Sequence, residues 1–339
     1  MIQSLDRLGI FVFFLLIFCL RLSAQQSAYP LSTVSDQSEI LYTSGEELVQ
    51  VDHSAKATGY WIYYSPETDI STAPLVVFVH GYGGYNPMIY GAWIRHLVRQ
   101  GKLVIYPRYQ RNIIFPSANK FAKNAATGIK DAIAFLQKEY SYHLPEAADY
   151  VGHSYGGTII SDFLVNYMDY EIPKPHAALL CAPGTSSLRG GRLTSYEGID
   201  PAVHLAIIEE NNDWVVGNEF SRKVFSEAPK EMNKALIINY SQALSAAYYD
   251  AHHNVCYSLD SDFDNQLRNY TSKRALEIGR TDELDYNFYW RLFDLLCMGN
   301  NEALSIIYDK GSFPVSVNNE EGLQDRYIFK SKQQLTAQE

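Results

Sequence analysis

A regular alternation of apolar and amphipathic segments runs through the middle of the chain. The apolar segments are rich in β-branched residues and lie at 73–81, 102–109, 148–154, 176–184, 203–212 and 235–241, the last predicted strand. The amphipathic segments between them lie at 86–101, 120–140, 156–168 and 218–228. Continuous apolar strands that alternate with amphipathic helices indicate a mostly parallel sheet covered on both faces. The sequence therefore predicts an α/β fold with a mostly parallel central sheet.

The two ends of the chain differ from this pattern. Residues 1–24 combine a charged start, a short apolar core and a small-residue exit, which is typical of a cleaved secretory signal peptide. The alternative is an uncleaved anchor, although a membrane-spanning helix needs about 20 apolar residues. We expect a secreted or periplasmic protein with no stable membrane anchor after processing. The remaining segments are a polar lead-in (25–50), the folded domain (51–300) and a C-terminal extension (301–339).

Charge and cysteine content limit the possible partners. The chain has 38 acidic and 28 basic residues, a formal charge of −10. An acidic surface repels nucleic acid and anionic membranes, so no nucleic-acid partner is expected. Cys181, Cys256 and Cys297 lie outside the predicted signal peptide, and an odd number in an exported protein permits one internal bridge and one free thiol. Cys181 is expected to be a buried strand residue, and Cys256 and Cys297 are the candidates for a disulfide.

The segment GHSYG at 152–156 joins a predicted strand to a predicted helix. A tight strand-to-helix turn forces small residues at both flanks, because a side chain there would strike neighbouring backbone. The turn also exposes the hydroxyl of Ser154 at a helix N-terminus, where the helix dipole favours developing negative charge. Ser154 is therefore the candidate nucleophile. The alternative is an ordinary serine in a glycine-rich turn.

A serine nucleophile needs a base, and the base needs an orienting carboxylate. Functional groups of parallel sheets lie beyond the carboxyl ends of the strands, which excludes histidines at strand starts, namely His176 and His204. His252 and His253 follow the last predicted strand, and the residues alone leave both open as the base. Asp213, after segment 203–212, is the candidate carboxylate, with Glu210 in reserve.

The segment HGYGG at 80–84 follows the predicted strand 73–81. Its glycines leave backbone N–H groups free to converge, and the N–H groups of Tyr82 and Tyr155 are the predicted oxyanion donors. A glycine-rich loop can also hold phosphate, but no Lys-Ser/Thr follows, which excludes a P-loop. Adjacent histidines do not readily share one metal, and no second ligand pair has suitable spacing. We expect neither a metal nor a cofactor.

The order Ser154, Asp213, His253, with HGYGG upstream and GHSYGG at the turn, resembles the α/β-hydrolase fold superfamily. Within it, residues 55–300 look closest to the dienelactone-hydrolase-like and the lidless lipase, cutinase and polyester-hydrolase groups. Those proteins carry the catalytic histidine in a segment like Asp-His-x-Ala-Pro. Aligning that segment with HHNVC at 252–256 implies that His253 is the base.

The resemblance implies an esterase that acts through an acyl-enzyme on Ser154. The segment 184–203 is too short for a large cap domain, so an open cleft with little or no cap is expected, able to admit a small or polymeric ester. Aromatic residues after the predicted strands are expected to line it: Tyr85 and Trp214, together with Tyr90, Tyr109 and Phe115. The alternatives are a serine peptidase or amidase of the same fold, and an inactive secreted binding protein.

Overall fold

The computed structural model describes most of the predicted folded domain. It covers residues 48–188, 190–244, 247–282, 284–299, 312–317 and 320–329. The predicted signal peptide (1–24) and nearly all of the predicted lead-in (25–50) lie outside the described residues, as does most of the extension (301–339).

The described residues form a ten-stranded sheet and a separate hairpin. The sheet strands are β1 (Val49–Asp52), β2 (Tyr60–Tyr64), β3 (Leu75–Val79), β4 (Leu103–Pro107), β5 (Ala147–His153), β6 (Lys174–Cys181), β7 (His204–Glu210), β8 (Lys234–Asn239), β11 (Ser312–Val317) and β12 (Glu320–Phe329). The hairpin strands are β9 (Gln242–Leu244) and β10 (Ala247–Tyr249). Across the sheet the order is β1-β2-β4-β3-β5-β6-β7-β8-β12-β11. Strands β3 to β8 pair with one another in parallel, and the outer strands pair antiparallel.

Helices connect the parallel strands and cover both faces of the sheet. They are α1 (Gly91–Arg99), α2 (Phe121–Tyr140), α3 (Tyr155–Tyr170), α4 (Glu219–Glu227), α5 (Tyr270–Ile278) and α6 (Arg291–Cys297). Short 3-10 helices lie at Pro87–Tyr90, Ala118–Lys120 and Ser261–Phe263, and a π-helix at Asp285–Trp290 runs into α6.

The two faces of the sheet are buried by different helices. On one face, side chains of α2, α3 and α4 share an apolar cluster with strand residues such as Val77 and Ile207. On the other face, Trp93 of α1 lies edge-on to Phe78 of β3, with ring centroids 5.4 Å apart, and packs against Phe293 of α6. Val77 and Phe78 are adjacent and point to opposite faces, so both must be apolar. The predicted α/β class and mostly parallel sheet are confirmed.

The prediction that segment 235–241 forms the last strand is wrong. Strand β12, from the predicted C-terminal extension, pairs antiparallel with β8, and β11 pairs with β12 at the sheet edge. The sequence of β12, EEGLQDRYIF, is largely polar. Antiparallel strands outside the parallel centre need no continuous apolar run, which is why the pattern of buried strands does not reveal them.

The candidate disulfide between Cys256 and Cys297 is not formed, and the three cysteines in the described residues are free thiols. Cys256 lies beside Cys181 instead. Burial is the main cause that raises the pKa of Cys256 well above its ordinary value, and the hydrogen bond with the thiol of Cys181 adds to it. Burial and the neighbouring Asp149, near the start of β5, likewise raise the pKa of Cys297. Cys256 therefore lies beside the carboxyl end of β6, whereas Cys297 lies near the start of β5.

The strand order creates a crevice beside β5. The chain leaves β3 for β4 on one side and then crosses to β5 on the other side of β3. Connections that leave β3 and β5 therefore diverge, which opens a crevice beyond the carboxyl ends of these neighbouring strands. Segment 80–84 follows β3, and Ser154 directly follows β5. Both predicted parts of the site border this crevice.

Candidate active site

Ser154 occupies a tight turn between β5 and α3. Its backbone has φ 55° and ψ −121°, a positive φ that is uncommon outside glycine. A Cβ on Gly156 would lie 2.0 Å from the carbonyl oxygen of Val79, and one on Gly152 would lie 2.7 Å from the carbonyl carbon of Gly156. The backbone N–H of Ser154 donates to the carbonyl of Cys181 at 2.8 Å. Packing therefore requires the two flanking glycines, as the sequence pattern predicts.

Three side chains that are distant in the sequence meet at this turn. His253 Nε2 lies 2.9 Å from Ser154 Oγ, and His253 Nδ1 lies 2.7 Å from Asp213 Oδ2. All three are buried or nearly so. Of the two adjacent histidines, His253 contacts the serine, whereas the Nδ1 of His252 accepts the N–H of Asn254. The structure thus brings together the predicted nucleophile, base and carboxylate.

The reserve carboxylate is not part of this arrangement. Glu210 lies in β7, where its Oε1 accepts from Asn239 Nδ2 at 2.9 Å and from the hydroxyl of Tyr289. Strand β7 thus ends with Glu210 turned toward β8 and the π-helix, and Asp213 reaches His253 from the loop beyond.

The environment of Asp213 keeps it ionised. Burial by itself would raise the pKa of Asp213, but the hydrogen bond and charge of His253 and the N–H groups of Val215 and Val216 lower it below its ordinary value. Those N–H groups donate to Oδ1 at 2.8 and 3.1 Å. Because a carboxylate only accepts, His253 Nδ1 must carry a proton. In the neutral ring, Nε2 is then free to accept the hydroxyl proton of Ser154.

Two backbone N–H groups border the serine. Gly81 packs on it so closely that a Cβ there would lie 3.3 Å from Ser154 Cβ. The carbonyl of Gly81 accepts from the N–H of Gly84 at 2.9 Å. In a trans peptide the C=O and the next N–H point in opposite directions, so the N–H of Tyr82 points away from Gly84. Within the described residues, neither this N–H nor that of Tyr155, at the start of α3, has a hydrogen-bond acceptor.

A cavity of about 500 Å³ opens beside Ser154. Hydroxyl groups and apolar side chains form most of its wall, which includes Tyr82, Tyr155, Thr185, Ser186, Leu188, Val215, Val216, Tyr270 and Thr271. Among the described lining residues Arg274 is the one permanent cation, and none is Asp or Glu. The wall is therefore free of carboxylates although the chain is acidic.

The two aromatic residues predicted for the cleft wall, Tyr85 and Trp214, do not line this cavity. Tyr85 is buried, with its ring edge-on to His80. Trp214 is 90% exposed, and its Nε1 donates to the side chain of Asn212, which turns the indole outward. Phe115 is also exposed to solvent. A position after a strand does not decide whether an aromatic side chain faces a cleft, the interior or solvent.

The other two aromatic residues of that prediction lie beneath the site. The hydroxyl of Tyr109 donates to the carbonyl of His80 at 2.9 Å, and the two rings stack with centroids 4.2 Å apart. Burial lowers the pKa of His80 to about 4, so its ring is neutral at neutral pH. Tyr90 is fully buried and contacts His153. Tyr109 and Tyr90 therefore pack against the buried side of segment 80–84 and do not line the cavity.

The sequence pattern misses the wall formed by α5. Asn269 caps this helix, and its Nδ2 donates to the carbonyl of Gly83 at 2.7 Å. The hydroxyl of Thr271 donates to the carbonyl of Tyr82 at 3.0 Å. These bonds fix α5 against segment 80–84 and bring Arg274 to the cavity. Asn269 is a residue type favoured at the N-cap of a helix, which is a sequence signal for the start of α5 but not for its position beside the site.

No metal cluster or membrane-spanning helix occurs in the part of the chain that the structure describes. There, no group of three or more His, Cys, Asp or Glu side chains is arranged to hold a metal ion. No helix of the described ranges is both long and apolar enough to cross a bilayer.

The chain matches no protein-family model and has no significant sequence match among curated proteins. The function is therefore inferred from the geometry of the site.

Proposed function

We propose that the protein is an exported serine hydrolase of the α/β-hydrolase fold that cleaves carboxylic esters. The observation that carries this proposal is the hydrogen-bonded series from Ser154 Oγ through His253 to Asp213. A surface serine in a glycine-rich turn needs no such series. Each atom has the role that nucleophilic catalysis requires, namely a hydroxyl, a base with a free nitrogen and an orienting carboxylate.

The reaction follows from these positions. His253 Nε2 takes the hydroxyl proton as Ser154 Oγ attacks the ester carbonyl. The N–H groups of Tyr82 and Tyr155 bind the resulting oxyanion, and each such donor stabilises the transition state by about 2.7–4 kcal/mol. His253 then gives its proton to the leaving alcohol, which leaves an acyl-enzyme on Ser154. Water, activated by the same imidazole, releases the acid.

Three features support the assignment of fold and substrate class. The strand-to-helix turn at Ser154 and the HGYGG and GHSYGG segments border one crevice of a mostly parallel sheet. The described residues of 182–203, between β6 and β7, contain no helix or strand that would form a cap. Exposed apolar side chains favour an ester with a sizeable apolar part, either a small molecule or a polymer. Two of them, Val215 and Tyr270, line the cavity beside Ser154.

Export is proposed from the signal-peptide pattern in residues 1–24. It is consistent with an enzyme that meets its ester outside the cytoplasm, in a periplasm or beyond the cell. Neither a cofactor nor a metal is required, because the proposed reaction uses only groups of the chain itself.

Pre-steady-state kinetics test this function. With p-nitrophenyl butyrate we expect an initial burst of one nitrophenolate per protein molecule, because acylation of Ser154 precedes slower deacylation. Ser154→Ala should show neither burst nor turnover. Ser161→Ala should behave like wild type, since this buried serine bonds with the carbonyl of Thr158 and with Tyr196 and is not among the residues that line the cavity beside Ser154. Faster cleavage of aminoacyl anilides than of esters would instead indicate a peptidase or amidase.

A further inference from the structure

A second buried imidazole lies beside the proposed catalytic one. His153 is the last residue of β5, directly before Ser154, and is 2% exposed. Its ring centroid lies 4.8 Å from that of His253. The proposed reaction gives His153 no part. A polar ring at this depth must nevertheless have partners for both nitrogens, because unpaired buried polar groups are costly.

The partners of His153 fix its protonation. Its Nε2 lies 2.8 Å from the carbonyl oxygen of His253, which can only accept, so Nε2 carries a proton. Its Nδ1 lies 2.8 Å from the hydroxyl oxygen of Tyr90. That oxygen also accepts the backbone N–H of Gly81 at 3.2 Å. With a neutral His153 ring, the Tyr90 hydroxyl donates to Nδ1 and every group is satisfied.

The other protonation states leave a group unsatisfied. With the proton on Nδ1 alone, the Nε2 lone pair would face the carbonyl oxygen of His253. With both nitrogens protonated, the hydroxyl hydrogen of Tyr90 would lose its acceptor on His153. The hydrogen bonds therefore run in one direction, from Gly81 through Tyr90 and His153 to the main chain of His253.

We infer that His153 is a positioning residue. It holds the base His253, and the segment 80–84 with the proposed oxyanion donor Tyr82, in place relative to β5, the strand that leads to the nucleophile. This inference rests on the proposed esterase function. In the described part of the chain, the bond from His153 is the one hydrogen bond to the backbone of His253. The base belongs to an irregular loop, whereas His153 belongs to a central strand and is bonded directly to Ser154. The ring of His153 thus fixes the position of His253 relative to Ser154.

The ring of His153 also fixes the main chain of segment 80–84, through Tyr90. The N–H of Gly81 is held by Tyr90, and the carbonyl of Gly81 is held by the N–H of Gly84, so the main chain on both sides of Gly81 is fixed. The approach is close, since a Cβ on Gly81 would lie 3.0 Å from His153 Nδ1 and 3.3 Å from the Tyr90 hydroxyl oxygen. The N–H of Tyr82 belongs to the same peptide group as the carbonyl of Gly81. Its direction therefore depends on this network.

Steady-state kinetics of two variants test the inference. His153→Phe keeps a buried ring but loses both bonds. We expect kcat for p-nitrophenyl butyrate to fall on the order of 100-fold, the cost of small misplacements of reacting groups, with KM nearly unchanged. Tyr90→Phe removes the bonds of the hydroxyl to Gly81 and to His153 but keeps the bond from His153 to His253, and should lower kcat by a smaller factor that still exceeds twofold. Tyr142→Phe is the matched control, since it removes a buried hydroxyl that donates to the carbonyl of Ala73, and should leave kcat unchanged.

Partial rescue separates positioning from a merely structural role. In His153→Gln the side-chain amide can reach the Nε2 position and donate to His253, so its kcat should exceed that of His153→Phe at equal melting temperature. If His153→Phe does not fold, Tyr90→Phe decides. The inference is overturned if folded His153→Phe, or Tyr90→Phe in its place, keeps at least half the wild-type kcat. An inactive wild type, or an active Ser154→Ala, would instead contradict the proposed function itself.

Discussion

Replacing Asp213 with asparagine should lower kcat for ester hydrolysis by about 10⁴-fold, with the protein still folded. The carboxylate accepts from His253 Nδ1 and so leaves Nε2 unprotonated, facing Ser154. An amide can donate through its NH₂ group, which favours the opposite tautomer, with the proton on Nε2. In that tautomer the imidazole cannot accept the hydroxyl proton. Steady-state kinetics with p-nitrophenyl butyrate, together with thermal unfolding, measure the effect.

Glu210→Gln is the matched control for this substitution. Glu210 is the last residue of β7 and Asp213 lies in the loop just beyond it, but Glu210 bonds with Asn239 and Tyr289 rather than with the base. We expect kcat of Glu210→Gln to stay close to the wild-type value, whatever the change in melting temperature. A large loss in Glu210→Gln combined with an active Asp213→Asn would show that Asp213 does not orient the base.

Replacing Gly156 with alanine should prevent stable folding. The new Cβ would lie 2.0 Å from the carbonyl oxygen of Val79 and 2.6 Å from that of His80. Both atoms belong to the backbone at the end of β3, in the centre of the sheet, so no side-chain rotation relieves the overlap. We expect the free energy of unfolding to fall by more than about 4 kcal/mol, a size reserved for severe core defects. Urea denaturation, or the absence of soluble protein, shows the result.

Gly101→Ala controls for the loss of a glycine as such. Gly101 has φ +77°, but the new methyl group would meet no other part of the protein within 4 Å, so only backbone strain of about 1–2 kcal/mol is expected. Similar stabilities of Gly156→Ala and Gly101→Ala would show that the close approach of α3 to β3 is not required.

The centre of the fold and the main site residues follow from the sequence for identifiable reasons. Strands β3 to β8 are buried on both faces, which demands continuous apolar runs that are visible in the sequence. Ser154 lies in a turn where backbone contacts allow only glycine at the flanks, which leaves a recognisable pattern. The rule that functional groups follow strand ends then selects the loops of Asp213 and His253.

Other features depend on contacts that the sequence pattern does not encode. The choice between His252 and His253 depends on side-chain direction, which only the resemblance and then the geometry address. Strand β12 is polar and antiparallel, so it lacks the signature of a buried strand. Tyr85 and Trp214 both follow strands, yet one turns inward and the other faces solvent. Long-range packing, rather than local pattern, decides each of these.

Labelling with a fluorophosphonate asks whether Ser154 is an activated nucleophile, because the reagent reacts with a serine only when base and oxyanion donors activate it. Intact mass and peptide mapping should show one phosphonyl adduct per chain, on Ser154, and none in folded Ser154→Ala. A folded wild-type protein that takes up no adduct, or takes it up elsewhere and equally in Ser154→Ala, would contradict the proposed serine-hydrolase mechanism.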